Sequence, residues 1–479
     1  MSTNPLSRRE FLKNTLAGGT AAVLLPQFPF NQSIDVQTAD PWTEVMPQIL
    51  QRIKVPAFPK KDFVITRFGA KPNESASATK AFKEAIDVCS KAGGGRVIVP
   101  AGTFFTGPIH LKSNVNLVIS RGATVKFSQN ADDYLPAIFT RWEGVELLNY
   151  SPFIYARDQR NIAITGEGTL DGQSDAEHWW PWNGRAAYGW KEGGPNQSAD
   201  RTRLMEMAEA NVPVEQRVFG GGHYLRPQFI QPYRCENVLI EGVNIVNSPM
   251  WELHPVLSRN VIIRNVRINS HGPNNDGCDP ESCSDVLIEE CDFDTGDDCI
   301  AIKSGRNADG RRLSRPTENI IIRRCRMRDG HGGITVGSEI SGGVRNLFAE
   351  DCNLDSPNLD HALRVKNNAM RGGLLQDLHF RNIQVGQVAH AVITIDFNYE
   401  EGAKGNFLPV VRNYTVEKLR SSKSVHALDI QGLKGAPVYD LRLKDCTFEH
   451  VAEPNVVKNL TNATLDNVTI NGKEITQIP

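Results

Sequence analysis

The chain has 479 residues, of which 40% are hydrophobic, so it is long enough to bury a large core, and length alone would allow two or three domains. Its formal net charge of −2 gives no general reason to expect nucleic-acid binding, although a local basic cleft could still attract an acidic ligand. Nine cysteines, an odd number in a chain of this length, do not indicate a disulfide framework.

The N-terminal segment has the pattern of an export signal. The stretch SRREFLKNTLAGGTAAVLLP joins Arg8 and Arg9 to the residues FLK and then to a mild apolar run that ends at Pro26. It resembles a bacterial twin-arginine export signal, with a short amphipathic docking helix as the alternative. We therefore interpret residues 1–35 as an export signal and linker. Residues 36–479 would form one exported domain, periplasmic or secreted, without a membrane span.

The clearest amphipathic helix is predicted at residues 79–95, TKAFKEAIDVCSKAGGG. Its apolar side chains fall on one side, namely Ala81, Phe82, Ala85, Ile86 and Cys89. A strand-rich stretch, GGGRVIVPAGTFFTGPIHL, follows almost at once. A helix at this place would cover the open end of a core built from strands.

A segment of about fifty residues, 174–224, is rich in tryptophan, glycine and polar residues. Its tryptophans are Trp179, Trp180, Trp182 and Trp190. They could form a platform for a sugar ring, because tryptophan faces pack against pyranose C–H groups, or they could form a small core of the segment itself. The sequence leaves both interpretations open.

Short segments after this insertion repeat one another. Examples are CENVLIEGVNIVNS, CSDVLIEECDFDTG and TENIIIRRCRMRDG, each with two short β-rich runs and a polar bend. A marker position recurs at steps of 23, 25, 34 and 26 residues, at Asn237, Asn260, Asp285, Asn319 and Arg345. Such units predict an all-β, single-stranded right-handed parallel β-helix capped by the helix at 79–95, since propeller blades need about 40 to 50 residues each.

Four cysteines fall at one place in their repeats, namely Cys291, Cys325, Cys352 and Cys446. We predict that they stack inside the solenoid as small apolar residues. A metal cage is disfavoured because no paired cysteine spacing suits one.

Three carboxyl groups are predicted to meet on one flank. The stretch GDDCIAIKSG places Asp297 and Asp298 side by side, which taken alone could be a solvated turn. Asp276, in HGPNNDGCDP, lies 21 residues earlier, close to one coil. Positions one coil apart in a parallel ladder are about 4.8 Å apart, so these carboxyls should converge and at least one pKa should rise.

Positive charges follow on the same flank. His331, in RDGHGGITVGS, lies 34 residues after Asp297, which is one coil plus an insertion that can loop outward. Arg364 and Lys366, in ALRVKN, point to the same side of a strand because they are two residues apart. Each could be a solvated surface residue, but their order along the flank favours a site.

The ordered motifs resemble polygalacturonases of glycoside hydrolase family 28. The motifs are Asn-Asn-Asp ending at Asp276, Gly-Asp-Asp, Gly-His-Gly and Arg-x-Lys, and the resemblance covers about residues 60 to 470. One departure is Asn275, where the family usually has threonine; we expect this change to be mild. The resemblance implies an inverting hydrolase of α-1,4-linked galacturonosyl bonds, with no cofactor and no metal, that binds galacturonic-acid-containing poly- or oligosaccharide as a monomer.

The resemblance also assigns roles. Asp297 would be the general acid, Asp276 and Asp298 would activate water, and His331 would support the acid and the substrate. Substrate would be bound by Asn274, Arg364, Lys366 and Tyr399, although a structural role for Tyr399 fits equally well.

An exo mode is favoured because the insertion at 174–224 could wall off one end of the groove. Rhamnogalacturonan or xylogalacturonan hydrolysis is the nearest alternative. A pectate lyase that uses Ca²⁺ and a non-catalytic β-helical carbohydrate-binding protein are more distant ones.

Overall fold

The structure is a computed structural model that describes residues 40–478, and Pro41–Pro479 form one compact unit. The proposed export signal and its boundary at residue 35 lie outside the described residues. Within residues 40–478, no helix has the length and the hydropathy that crossing a membrane requires.

Parallel strands stack coil upon coil into three ladders, which confirms the predicted parallel β-helix. The first ladder contains Asp62–Val64, Gly95–Val99, Val115–Ile119, Arg160–Gly166, Glu236–Glu241, Arg259–Arg264, Ser284–Glu289, Thr317–Arg323, Val344–Glu350, Leu374–Arg381, Val410–Glu417, Val438–Tyr439, Leu441–Phe448, Leu460–Thr461 and Thr464–Ile470. The second contains Gly102–Thr106, Ala123–Phe127, Thr169–Asp171, Asn244–Val246, Arg267–Ser270, Asp292–Thr295, Arg326–Met327, Asn353–Leu354, Gln384–Gln387 and Arg420–Lys423.

The third ladder has two runs of strands joined by isolated bridges through Leu253 and Cys278. The strands are Ile109–His110, Ile154–Arg157 and Ile230–Tyr233, then Ile300–Ile302, Gly330–Val336, Leu359–Lys366, Ala391–Asp396, His426–Gln431 and Val456–Lys458. Two antiparallel pairings complete the strands: the hairpin of Ile138–Trp142 with Val145–Asn149, and Lys473–Glu474 on the last coil.

Apolar side chains at alternate strand positions fill the interior of the coils. Val238, Val261 and Val286 occupy matching positions in successive coils and are fully buried. The cysteines predicted to stack are also buried, and all nine cysteines are free. The stacking prediction is therefore consistent with the structure at every cysteine in the repeats.

The repeated marker position is an asparagine ladder in the left-handed backbone region. Asn237 and Asn319 have φ values of 59° and 58°, a conformation that asparagine tolerates better than most residues. The Nδ2 group of Asn260 donates to Oδ1 of Asn237 at 2.7 Å, and that of Asn346 donates to Oδ1 of Asn319 at 2.9 Å. The sequence prediction of Arg345 as the last marker was wrong by one residue, because Arg345 pairs with Glu318 and Asn346 continues the ladder.

Within residues 40–478, four α-helices lie on the solenoid, namely Met46–Arg52, Thr79–Lys91, Ser198–Glu209 and Asn307–Leu313. Shorter helical turns are Pro41–Val45, Ile65–Phe68, Ala131–Tyr134, Trp180–Asn183, Ala186–Tyr188 and Val214–Gln216. Thr79–Lys91 is the predicted capping helix, and its five predicted apolar residues are buried in the main core. Met46–Arg52 packs instead on outward-facing side chains of the first ladder, including Leu239 and Ile321.

The insertion at 174–224 contains the helix Ser198–Glu209 and is not made of loops alone. Trp179 is only 3% exposed and packs against Tyr134 and Trp182 at centroid distances of 5.3 and 5.1 Å. Trp180 donates from its indole Nε1 to the carbonyl of Ser248 at 2.8 Å. These contacts favour a structural role over a sugar platform, since Trp179 joins the main core of the coils and Trp180 ties the insertion to Ser248.

Candidate active site

The three predicted carboxyl groups lie at the start of their coils on the third ladder. Asp297 and Asp298 come just before Ile300–Ile302, and Asp276 comes just before the bridge between Cys278 and Ile300. The backbone N–H of Gly277 donates to the carbonyl of Asp298 at 3.0 Å. This coil has 22 residues, one more than the sequence spacing assumed, so Asp276 is aligned with Asp298. Carboxylate oxygens of all three residues lie within 4.8 Å of one another.

Asp297 pairs with His331 on the next coil. The Nδ1 atom of His331 lies 3.0 Å from Oδ1 of Asp297, and the backbone N–H of His331 donates to the carbonyl of Asp297 at 3.1 Å. The hydrogen bond and charge of Asp297 raise the pKa of His331 to about 9, so His331 is protonated at neutral pH. Burial alone would raise the pKa of Asp297, but the imidazolium outweighs burial and holds that pKa well below its usual range.

Asp298 is fully buried and is bound by three side chains. The hydroxyl of Thr335 donates to its Oδ1 at 3.0 Å, the ammonium of Lys366 donates to its Oδ2 at 2.5 Å, and Nη1 of Arg364 lies 3.8 Å from its Oδ1. Burial lowers the pKa of Lys366, but the charge of Asp298 outweighs it, so the net pKa rises. The cation pair expected to bind substrate thus also contacts a carboxylate of the protein.

Asp276 has an ammonium neighbour that the sequence analysis did not identify. The Nζ atom of Lys303 lies 3.5 Å from Oδ2 of Asp276 and 3.1 Å from Oε2 of Glu339. Burial, followed by the charge of Asp297, raises the pKa of Asp276 well above its usual range, and Lys303 opposes the rise. At least one pKa of the cluster is therefore raised, as the sequence predicted.

The remaining predicted residues also lie at the cleft. Oδ1 of Asn274 accepts hydrogen bonds from Arg226 at 2.8 Å and from Asn183 at 3.3 Å. Asn275 is fully buried and bonds Ser270 and nearby backbone groups, so the departure from threonine does not reach the carboxyls. The ring of Tyr399 lies 5.4 Å from Nζ of Lys366, which places the tyrosine at the site.

A cleft of about 590 Å³ is lined by the predicted site residues except Asp298, which is fully buried. One wall comes from the insertion and the hairpin, where Nε of Arg201 donates to Oε2 of Glu143 at 2.8 Å. Arg306 extends the wall through Glu143 at 3.4 Å and Glu400 at 3.4 Å. The sequence analysis missed several lining residues, namely Glu143, Arg185, Arg201, Trp251, Lys303 and Glu339.

In the part of the chain that the structure describes, two groups of side chains have ligand atoms close enough to hold a cation. One is the carboxyl cluster, where Lys303, Lys366 and His331 already supply the opposite charges. The other is His271 with Asp294 and Asp329, at the edge of the same coils. The three ammonium and imidazolium groups make the carboxyl cluster a poor host for a divalent cation.

The fold and the site together define a glycosidase: clustered carboxyls can donate and accept the protons of glycoside cleavage, and the cleft is large enough for sugar rings. Comparison with known proteins agrees. The pattern of the family described as Glycosyl hydrolases family 28 matches residues 221–469, and the chain belongs to this family.

Individual relatives extend the match beyond that range. A solved structure of an exopolygalacturonase from Thermotoga maritima is 48% identical, with a TM-score of 0.87, over 90% of this chain and 96% of that one. An exo-poly-α-D-galacturonosidase of Dickeya chrysanthemi is 26% identical over 86% of this chain and 74% of that protein. A probable polygalacturonase of Vitis vinifera is 28% identical over 81% of this chain and 74% of that protein.

Proposed function

We propose that the protein is an exo-acting polygalacturonase that hydrolyses α-1,4-linked galacturonosyl bonds with inversion. The observation that carries the proposal is the cluster of three carboxyls bordered by Lys303, His331, Arg364 and Lys366 in one cleft. Carboxyls supply an acid and a base for glycoside cleavage. Several cations beside them suit a sugar that bears its own carboxylate, which a neutral sugar would not need.

In the proposed mechanism, Asp297 protonates the leaving oxygen, while Asp276 and Asp298 hold and deprotonate the attacking water. Relative exposure supports this division, since the side chain of Asp297 is 16% exposed and those of Asp276 and Asp298 are 4% and 0% exposed. The group that meets the glycosidic oxygen must reach into the cleft, whereas two enclosed carboxyls can share a small water molecule. His331 holds the acid in place.

The protonation pattern adds one step to this mechanism. The pKa of Asp276 is raised by burial and that of Asp297 is lowered by His331, so in the free protein Asp276 binds a proton more readily than Asp297 does. An acid role for Asp297 requires the proton on Asp297. We propose that a bound sugar carboxylate, by adding negative charge and displacing water, raises the pKa of Asp297 and moves the proton across the 4.8 Å cluster.

The exo mode is supported by the wall beside the carboxyls. Helix Ser198–Glu209, the hairpin turn at Glu143 and the loop that carries Glu400 are joined there by ion pairs through Arg201 and Arg306. A wall at one end would admit only the end of a chain. The printed names of the Thermotoga and Dickeya relatives, an exopolygalacturonase and an exo-galacturonosidase, agree with this mode.

The test is to size the products released from homogalacturonan, rhamnogalacturonan and xylogalacturonan. We expect one short product from homogalacturonan from the first time point, in chelator as well as without it. A ladder of intermediate oligomers would mean endo action, and preference for a decorated polymer would change the substrate. An ultraviolet-absorbing product that needs Ca²⁺ would indicate a lyase, and binding without release of reducing sugar would indicate a non-catalytic protein.

Inversion needs its own measurement, because the carboxyl oxygens lie closer together than the roughly 6.5 to 9.5 Å usual for inverting glycosidases. Proton NMR of the fresh product distinguishes the outcomes. We expect the β-anomer from the α-linked substrate, because two enclosed carboxyls here share the water. The α-anomer would mean retention through a covalent intermediate.

We also propose that residues 1–35 direct export by the twin-arginine route and that the exported protein is a periplasmic or secreted monomer. The motif SRREFLK supports the route. Sedimentation of the purified protein tests the oligomeric state.

A further inference from the structure

We propose that Lys303 is a positioning residue whose ammonium group favours the ionised form of Asp276, the form that acts as a base. The carboxylate of Glu339 partly neutralises that ammonium group and so limits its effect on Asp276. The inference rests on the proposed hydrolysis, because it assigns a role within that reaction. It starts from a buried cation that the four ordered motifs do not include.

The surroundings of Lys303 hold its ammonium beside the carboxyl cluster. Its side chain is 3% exposed, and Nζ lies 3.5 Å from Asp276, 3.1 Å from Glu339 and 4.3 Å from the ring centre of Trp251. The Nζ group also donates to the peptide carbonyl of Gly337 at 3.4 Å. The lysine is therefore fixed between two carboxylates and an aromatic face.

Glu339 is not a partner for Lys303 alone. Its Oε1 accepts from Nη1 of Arg306 at 3.2 Å and from the hydroxyl of Ser338 at 3.1 Å. Since Arg306 neutralises part of the charge on Glu339, Lys303 retains net positive charge toward Asp276. Burial raises the pKa of Asp276 and the ammonium of Lys303 opposes that rise, so Asp276 gives up its proton more readily before it accepts one from water.

Other charges also act on Asp276, so the test must isolate Lys303. The ionisable groups that act on Asp276 are Asp279 on its own coil and, on other coils, Glu252, Asp297, Asp298, Lys303 and Lys366. Removing the lysine takes away an opposite charge and raises the pKa of Asp276. Removing the charge of Glu339 takes away a negative charge and lowers it.

The experiment measures kcat/KM against pH for the full-length mature protein on polygalacturonate. In Lys303→Met we expect the acid-side limb to move to higher pH by about one unit or more, with activity below the limb reduced about tenfold. Lys303→Arg should restore the limb in part, because it keeps the charge. Glu339→Gln should move the same limb to lower pH, a direction that general damage to the site would not produce.

The control variant is Lys126→Met, which removes another lysine beside an aspartate, Asp171, on a different ladder. It should leave both limbs in place. An unmoved acid limb in Lys303→Met would overturn the inference, and so would movement of the alkaline limb alone, which would make Asp276 the acid. An inactive wild type would instead reject the proposed function, so the two failures are distinguishable.

Discussion

At the scale of single residues, adjacent carboxyls have different environments. Asp297 opens toward the cleft and pairs with an exposed imidazolium, while Asp298 is enclosed by Thr335 and Lys366. Both residues lie in the bend between the strands Asp292–Thr295 and Ile300–Ile302, and their different partners explain how two aspartates in sequence can divide the work of acid and base. This division makes the chemistry of Asp297 testable by one isosteric change.

Asp297→Asn should lower kcat by about 10²-fold or more, because the amide cannot donate the proton that the leaving oxygen needs. Thermal unfolding should change little, since the side chain is partly exposed. The matched control is Asp292→Asn, which removes a carboxylate five residues earlier that pairs with Arg326 on the solvent side. Near-normal turnover of Asp297→Asn would refute the role of Asp297 as the general acid.

Lys366 allows the substrate charge to be tested separately from the structure of the site. In Lys366→Ala, kcat/KM on polygalacturonate should fall by a factor that corresponds to about 2 to 5 kcal/mol of lost transition-state stabilisation. This is the scale for removing one partner of a desolvated charge pair. Part of this loss comes from Asp298, whose Oδ2 loses the bond from Nζ.

A second substrate separates the two contributions. When the sugar carboxylate next to the scissile bond is methyl-esterified, the loss of kcat/KM in Lys366→Ala should be smaller, because the wild-type lysine then has no charged carboxylate of the sugar to bind. Equal losses on the acidic and esterified substrates would mean that Lys366 acts through Asp298 and does not bind the sugar carboxylate.

At the scale of structural elements, the asparagine ladder holds the coils in register. Asn319 has a φ of 58° and bonds Asp285 below it at 3.2 Å and Asn346 above it at 2.9 Å. Asn319→Ala should lower the free energy of unfolding by about 1 to 3 kcal/mol, from backbone strain and unmade hydrogen bonds. Asn319→Gly should cost less, because glycine tolerates positive φ. Denaturant unfolding would measure both variants, and equal losses would show that backbone strain contributes nothing.

The same elements show what the sequence could predict. Period-two alternation and repeat length were enough to predict the β-helix. Coil spacing was enough to predict that Asp276 lies near Asp297 and that His331 lies near Asp297 as well. The one-residue error at Arg345 arose because strand ends are poorly marked in sequence. Lys303 was missed because a lysine after an apolar strand is usually solvated. Here Glu339, one coil later, and Trp251, two coils earlier, enclose it.

At the scale of the whole molecule, all nine cysteines are free and buried. Burial raises the pKa of the Cys283 thiol to about 12, and burial of all nine thiols limits the access of reagents in the folded protein. An unfolded chain would expose nine reactive thiols to an oxidising compartment, where they could pair wrongly. A route that exports folded cargo avoids this hazard, and the proposed twin-arginine signal provides such a route.

Changing Arg8 and Arg9 to Lys should therefore keep the precursor in the cytoplasm as a folded protein. The retained precursor should hydrolyse polygalacturonate in lysates as well as the exported form, because the signal lies outside the compact unit Pro41–Pro479. Its cysteines should resist a thiol reagent until denaturant is added, and then all nine should react. Fractionation with immunoblotting measures the retention. Export at the normal rate would assign the protein to another pathway, and thiols that react without denaturant would refute protection by folding.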